Sequence, residues 1–117
     1  MKFSHLALPV SDVQRSWGFY RDVLEIEGEA REVDHGLLVT TRDGFVLAFI
    51  QAEPTPSDGR LHFGFSRESR DEVREVRARL QHAGVRETSW IEMDGFVSIK
   101  FHDADGYVVE IFWEQAQ

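Results

Sequence analysis

Apolar and polar residues alternate along most of the chain, which is the pattern of strands with two unlike faces. In residues 2–10, Leu6, Leu8 and Val10 share one face, and His5 lies on the other with Phe3, Ala7 and Pro9. Further strands are predicted at residues 26–33, 37–42, 45–52, 60–66, 85–92, 96–102 and 107–113. The pattern therefore predicts a chain built mainly from short strands.

Two segments have helical periodicity instead. The first begins at Ser11, which forms a capping box with Gln14, and its apolar stripe is Val13, Trp17, Tyr20 and Leu24. The second begins at Ser69, which forms a capping box with Glu72, and its stripe is Val73, Val76, Leu80 and Ala83. Gly84 is the expected stop of the second helix. Its arginines (Arg70, Arg74, Arg77 and Arg79) are predicted to form a solvated face.

The order of elements repeats on either side of a proline-rich linker near the midpoint. Segment 43–49, DGFVLAF, aligns with segment 105–111, DGYVVEI, and His5 on the first strand matches His62 on the fifth. We therefore expect one domain over residues 1–117, with module one at 1–53, a linker at 54–59 and module two at 60–117. The predicted class is α+β, with two strand-helix-strand-strand-strand modules.

The composition and charge of the chain exclude some classes of partner. The net charge is −8, which argues against the phosphate backbone of a nucleic acid as a partner. No apolar run approaches the length of a membrane span, and the start of the sequence lacks a signal-peptide pattern. There are no cysteines, so disulfides are excluded. We expect a cytoplasmic protein with a small-molecule partner.

Glu110 lies in the middle of the most apolar predicted strand, which we expect to be buried on both faces. A buried carboxylate costs several kcal/mol unless an arginine, a lysine or a metal compensates it. His5, His62 and Glu110 together suit a divalent transition metal and leave coordination positions open. A single histidine on an apolar strand is usually a hydrogen-bonded core residue, so the hypothesis rests on the set.

Four stretches carry a resemblance to a known family: HLALPVSD at 5–12, FYRDVL at 19–24, HFGF at 62–65 and DADGYVVE at 103–110. Together with the repeat, they resemble the vicinal oxygen chelate superfamily of glyoxalase I, fosfomycin-resistance enzymes, extradiol dioxygenases and bleomycin-resistance proteins. The resemblance implies two βαβββ modules whose sheets curl into a cup. It also implies a metal (Fe, Mn, Ni, Zn or Co) held by His5, His62 and Glu110, which match the family's ligand positions.

Departures from the family pattern narrow the function. Ala48 stands where glyoxalase I has a fourth ligand, a glutamate, and Ala7 stands where fosfomycin enzymes have a threonine. The resemblance therefore implies neither a typical glyoxalase I nor a fosfomycin-modifying enzyme.

Two functions stay open. One is a metal-dependent lyase, isomerase or dioxygenase acting on a substrate with chelating oxygens. The other is a non-catalytic protein that sequesters a small molecule or antibiotic, as bleomycin-resistance proteins do.

The strand at 96–102 adds two candidate catalytic residues, Ser98 and Lys100. Val97, Ile99 and Phe101 are apolar, so Ser98, Lys100 and His102 share the opposite face. By resemblance to the fosfomycin enzymes, the positions of Ser98 and Lys100 face the cup. Lys100 would bind an anionic substrate group or act as a base there. The alternative is a lysine that extends from a solvated edge.

The resemblance also implies a homodimer with a shared cup. In relatives, the first-module sheet of one chain often closes against the second-module sheet of the other. His5 would then meet His62 and Glu110 of the partner subunit, and the linker permits either a swapped or an unswapped pairing.

Overall fold

A computed structural model describes residues 1–116 as two compact units, which divide between Thr55 and Pro56. The first contains β1 (His5–Val10), α1 (Val13–Gly18), β2 (Gly28–Val33), β3 (Gly36–Thr41) and β4 (Val46–Gln51). The second contains β5 (Phe63–Ser66), α2 (Arg70–His82), β6 (Glu87–Met93), β7 (Phe96–His102) and β8 (Val108–Glu114). The predicted α+β class and both βαβββ modules are confirmed.

Each unit forms one mixed four-stranded sheet, with the strand orders β1-β4-β3-β2 and β5-β8-β7-β6. The first and last strands of each module pair in parallel, and the other neighbours pair antiparallel. The helix of each module makes the crossover that a parallel pair requires. In residues 1–116 no helix combines the length and the apolar character that a membrane crossing needs.

The first helix begins one residue later than predicted. Asp12 is the N-cap, and its carboxylate accepts a hydrogen bond from the Arg15 amide at 3.0 Å, so the predicted capping box of Ser11 and Gln14 is wrong. After Gly18 the chain continues as a π-helical segment, Phe19–Val23, in which the Leu24 amide donates to the Phe19 carbonyl at 3.3 Å. Trp17, Tyr20 and Leu24 are buried in the core, as their spacing predicted.

The second helix agrees with the sequence at both ends. Ser69 is its N-cap and accepts a hydrogen bond from the Glu72 amide at 3.2 Å, while the Glu72 carboxylate accepts from the Glu68 amide at 2.8 Å. Gly84 has φ +72° just after the helix, in the left-handed region that glycine tolerates best. The core of this unit contains Val73, Val76 and Leu80 of α2 with Val97, Ile99, Phe101, Val109 and Ile111 of the sheet.

The prediction of a solvated arginine face on α2 holds for Arg74, which is exposed, and is wrong for the half-buried Arg70, Arg77 and Arg79. Arg74 pairs with Glu92, and Arg77 donates two hydrogen bonds to Glu87 at 2.8 and 3.1 Å. The Arg70 and Arg77 guanidinium groups lie 5.0 Å from the Trp113 ring and 4.1 Å from the Trp90 ring. Through these ion pairs and ring contacts the guanidinium groups hold α2 against the sheet. Trp90 therefore packs against α2.

Candidate functional site

Glu110 lies on the face of β8 that points away from α2. Its neighbours Val109 and Ile111 are 0% and 1% exposed and face the helix, whereas the Glu110 side chain is 19% exposed. The expectation that β8 is buried on both faces is therefore wrong for the Glu110 face, where Glu110 and Phe112 are half-buried. The carboxylate is partly solvated, so its desolvation cost is smaller than the sequence suggested.

His62 meets Glu110 from the neighbouring edge of the sheet. The residue comes immediately before β5, not within a strand as predicted, and its Nε2 lies 3.3 Å from Glu110 Oε1. Two ligands of one divalent cation, each bonded at about 2.0–2.2 Å, lie about 2.8–3.6 Å apart at tetrahedral or octahedral angles. The His62–Glu110 separation therefore fits two adjacent ligands, and without a cation it fits a hydrogen bond donated by Nε2.

Ser98 contacts the other oxygen of the same carboxylate. Its hydroxyl donates to Glu110 Oε2 at 2.5 Å, and the residue is 1% exposed. Ser98 is paired with Phe112 across the β7–β8 ladder, so the bond crosses the ladder diagonally. The two oxygens of Glu110 thus have different partners.

Lys100 is the direct cross-strand partner of Glu110 and is half-buried. Because directly paired residues project to the same face of a sheet, Lys100, Glu110 and Ser98 share one face. His102 lies farther along this face, with its Nδ1 3.0 Å from the Gly106 carbonyl oxygen. The second sheet therefore collects two potential metal ligands, a hydroxyl and an amine on one face.

Gly64 belongs to this face, although the sequence reasoning did not single it out. It is paired with Glu110 in the parallel β5–β8 ladder. A Cβ at position 64 would lie 2.8 Å from the Glu110 carbonyl oxygen and 3.1 Å from Glu110 Cβ. The signal in the sequence was the missing side chain two residues after His62, at a place where a strand normally favours a larger residue.

His5 belongs to the other unit, where it is exposed at the start of β1. Its Nδ1 lies 2.9 Å from the Ser4 hydroxyl. His5 precedes Ala7, the partner of Ala48, by two residues, and His62 precedes Gly64, the partner of Glu110, by two residues. The ladders therefore place the two histidines at equivalent positions of the repeat.

Within residues 1–116 no group of three or more His, Cys, Asp or Glu side chains is arranged to hold a metal ion. What the second unit brings together is the pair His62 and Glu110, with Ser98 behind the carboxylate. The three-ligand site that includes His5 stays a prediction.

The two βαβββ modules and the His62–Glu110 pair define a class of protein. Comparisons with known proteins identify that class. The family model of the Glyoxalase/Bleomycin resistance protein/Dioxygenase superfamily matches residues 2–111. The chain belongs to this superfamily. A comparison with curated proteins gives no match.

Solved structures with the same fold cover nearly the whole chain. The fosfomycin resistance protein FosX from Listeria monocytogenes has a TM-score of 0.82 at 20% identity, with 98% of this chain and 94% of that chain covered. Lactoylglutathione lyase from Agrobacterium tumefaciens has a TM-score of 0.73 at 18% identity, with 96% and 92% covered. The oxidase ChaP-H2 has a TM-score of 0.76 at 19% identity, with 97% and 94% covered. At these identities the likeness establishes the fold, and the three names describe three different activities.

Proposed function

We propose that this chain is a small metal-dependent enzyme that acts on a small substrate with chelating oxygens, by lyase, isomerase or dioxygenase chemistry. The observation that carries the proposal is the His62–Glu110 pair, whose Nε2 and Oε1 atoms lie 3.3 Å apart on the half-buried face of the second sheet. One imidazole and one carboxylate are ligands that Fe, Mn, Ni, Zn and Co accept. Superfamily membership supports the same metal class.

In this proposal His5, His62 and Glu110 hold the metal, which when bound supplies Lewis-acid stabilisation of negative charge on substrate oxygens. Three protein ligands leave positions for two neighbouring oxygens of a substrate. Lys100 lies beside Glu110 in the ladder, and its amine would bind an anionic group of the substrate. Ser98 would act on the same site through its hydroxyl, which donates a hydrogen bond to Glu110 Oε2.

We further propose a homodimer in which His5 of one subunit joins His62 and Glu110 of the partner subunit. Superfamily members commonly form dimers, and His5 and the His62–Glu110 pair belong to different units of this chain. Light scattering at micromolar concentration tests the dimer, and a strictly monomeric protein would exclude it.

Metal analysis of protein purified without a polyhistidine tag tests the metal. We expect stoichiometric divalent metal in the wild type and its loss in the His62→Ala and Glu110→Ala variants. His82→Ala, which removes an exposed histidine at the end of α2, is the matched control. A metal-free wild type that binds no added divalent cation would favour the alternative, a protein that sequesters a small molecule without catalysis.

Mixing two inactive variants tests whether the ligands come from two subunits. Neither His5→Ala nor Glu110→Ala should hold metal alone. A mixed dimer in which His5 reaches across has one site with both mutations and one intact site. We therefore expect metal binding to return after subunits are exchanged, at half the wild-type stoichiometry or less. No recovery in mixed dimers would place all three ligands in one subunit.

Replacing Lys100 separates its proposed role from metal binding. We expect Lys100→Met to lower turnover or ligand affinity by about tenfold or more, because an anion loses its charge-assisted partner. Metal content should stay at the wild-type level. Lys2→Met is the control, since Lys2 is the other lysine of the chain and is exposed. A Lys100→Met protein with unchanged activity on an anionic substrate would contradict the role.

A further inference from the structure

The two oxygens of the Glu110 carboxylate are held apart by different partners. Oε1 lies 3.3 Å from His62 Nε2, and Oε2 accepts a hydrogen bond from the Ser98 hydroxyl at 2.5 Å. Ser98 is 1% exposed, whereas the Glu110 side chain is 19% exposed. One oxygen is therefore committed to a buried donor on β7, and the other is presented at the half-buried face.

The two strands beside β8 place different residues next to Glu110. Ser98 approaches from β7, and on the opposite side of β8 the partner of Glu110 is Gly64, which has no side chain. A Cβ at position 64 would lie 3.1 Å from Glu110 Cβ, so Gly64 leaves Glu110 the room to take this position. A hydrogen bond to an ionised carboxylate is stronger than one between neutral groups, and a buried donor has no competing water.

We propose that Ser98 is a positioning residue that makes Glu110 a ligand through one oxygen. With Oε2 bound to the Ser98 hydroxyl, only Oε1 is offered beside His62. This inference rests on the proposed metal-dependent function and refines it. A carboxylate that binds through both oxygens occupies one more coordination position, so Ser98 would keep that position open for a substrate that chelates through two oxygens.

The competing explanation is that Ser98 only fills space in the sheet. A packing role requires the volume of the side chain, whereas the positioning role requires its hydroxyl. Ser98→Ala removes the hydroxyl at almost the same volume, and Ser98→Thr keeps it. Ser16→Ala is a matched control, because Ser16 is 2% exposed and lies in the first unit.

The test is a titration of the metal-free native protein, purified without a polyhistidine tag, with Co²⁺. We expect Ser98→Ala to weaken Co²⁺ binding about 10–100-fold, the usual effect of removing a partner behind a metal ligand. Ser98→Thr and Ser16→Ala should bind Co²⁺ nearly as well as the wild type. Infrared difference spectra supply a second readout: the two carboxylate stretching bands are farther apart for binding through one oxygen than through both. That separation should shrink in Ser98→Ala.

Each other outcome has a distinct meaning. If the wild type binds Co²⁺ and Ser98→Ala binds it with equal affinity and an unchanged infrared separation, Ser98 has no positioning role and the metal-dependent function stands. If Ser98→Thr loses affinity and Ser98→Ala keeps it, the volume of the residue matters and the hydroxyl does not. If the wild type binds no Co²⁺, the proposed function fails, and the inference fails with it.

Discussion

The two units have the same strand order and the same ladder types, but their equivalent faces carry different chemistry. In the first unit Ala7 pairs with Ala48, and His5 stands two residues before Ala7. In the second unit Gly64 pairs with Glu110, and His62 stands two residues before Gly64. One fold therefore presents a single polar ligand in one copy and a ligand pair in the other.

This difference shows that the strand ladder fixes the position at which a metal-ligating side chain can lie. The residue type at that position decides whether a ligand is present. Ala48 is 7% exposed and needs no partner, whereas the equivalent Glu110 requires Ser98 and His62 around its carboxylate. A buried alanine is compatible with apolar surroundings, while a carboxylate imposes donors on its neighbours. The polar groups therefore cluster in the second unit.

The units also differ in how their outer strands are held. All residues of β2 except Val33 are exposed, and the ion pair of Arg42 with Glu27 beside this strand is 84% and 69% exposed. In the second unit Arg77 binds Glu87 of β6 with exposures of 31% and 29%, and it also covers Trp90. A solvated pair contributes little to stability, because water and salt screen its charges.

The largest expected effects come from the two cores. Phe49 and Phe101 are both 0% exposed, so we expect Phe49→Ala and Phe101→Ala each to destabilise by about 3–5 kcal/mol. Phe49 also lies 5.5 Å from the Tyr20 ring and 6.4 Å from the Trp17 ring, so Phe49→Ala removes these two ring contacts as well. Urea unfolding measures both changes. A cost below about 1 kcal/mol at either position would contradict this account of the cores.

The outer strands give the next prediction. Arg77→Ala loses two hydrogen bonds to Glu87 and a ring contact, so we expect a loss of about 1–2 kcal/mol. Arg42→Ala is the matched control and should cost no more than about 0.5 kcal/mol, because its pair is solvated. Equal losses of stability for the two variants in urea unfolding would show that the contacts of Arg77 with β6 add no stability.

Much of the fold could be predicted because alternation and turn residues act locally. All eight predicted strands and both predicted helices occur where periodicity placed them, with ends shifted by one or two residues in most cases and by three at the starts of β1 and β5. The half-buried arginines of α2 were misjudged because their exposure depends on the sheet residues that they contact. Neither the helical periodicity nor the charges of α2 predict that Trp90 and Glu87 of β6 lie beside Arg77.

The candidate site was less accessible to prediction. The repeat matched His62 with His5, and the apolar strand around Glu110 singled out its carboxylate; the structure brings the His62 and Glu110 side chains together. Alternation placed Ser98 on one face with Lys100 and His102, and the family resemblance placed that face at the cup. The bond from Ser98 to Glu110 Oε2 depends on ladder register, which the sequence pattern left open. Gly64 escaped notice because its effect is an absence of atoms next to Glu110.

The start of the first helix offers a smaller test, since the sequence suggested Ser11 as its cap and the structure has Asp12. We expect Asp12→Ala to cost about 1 kcal/mol, because the Arg15 amide loses its acceptor. Ser11→Ala loses an exposed hydrogen bond from the Arg15 side chain, and it should cost less than about 0.5 kcal/mol. The reverse order in thermal or urea unfolding would restore Ser11 as the cap.

The smallest effect concerns the hairpins that precede β4 and β8. At equivalent positions the Phe45 amide donates to the Thr41 hydroxyl at 3.1 Å, and the Tyr107 amide donates to Asp103 Oδ1 at 2.9 Å. In the first hairpin the Thr41 hydroxyl donates to Asp43, and this bond, with a further one from the Phe45 amide, lowers the pKa of Asp43 below its ordinary value. The ionised carboxylate therefore favours the folded state.

A lowered pKa in the folded state gives a stabilisation that is present above the unfolded pKa, about 3.9 for aspartate, and is lost as the pH falls through the folded pKa. Asp43→Asn should thus be slightly less stable than the wild type at pH 7, and the gap should close as the pH falls through the lowered pKa of the folded state. Asp34→Asn in the preceding hairpin is the control, because removing any carboxylate from a chain of net charge −8 relieves some repulsion. Urea midpoints measured across this pH range decide the matter: a gap that stays constant on acidification would mean that Asp43 acts through its shape and not through its charge.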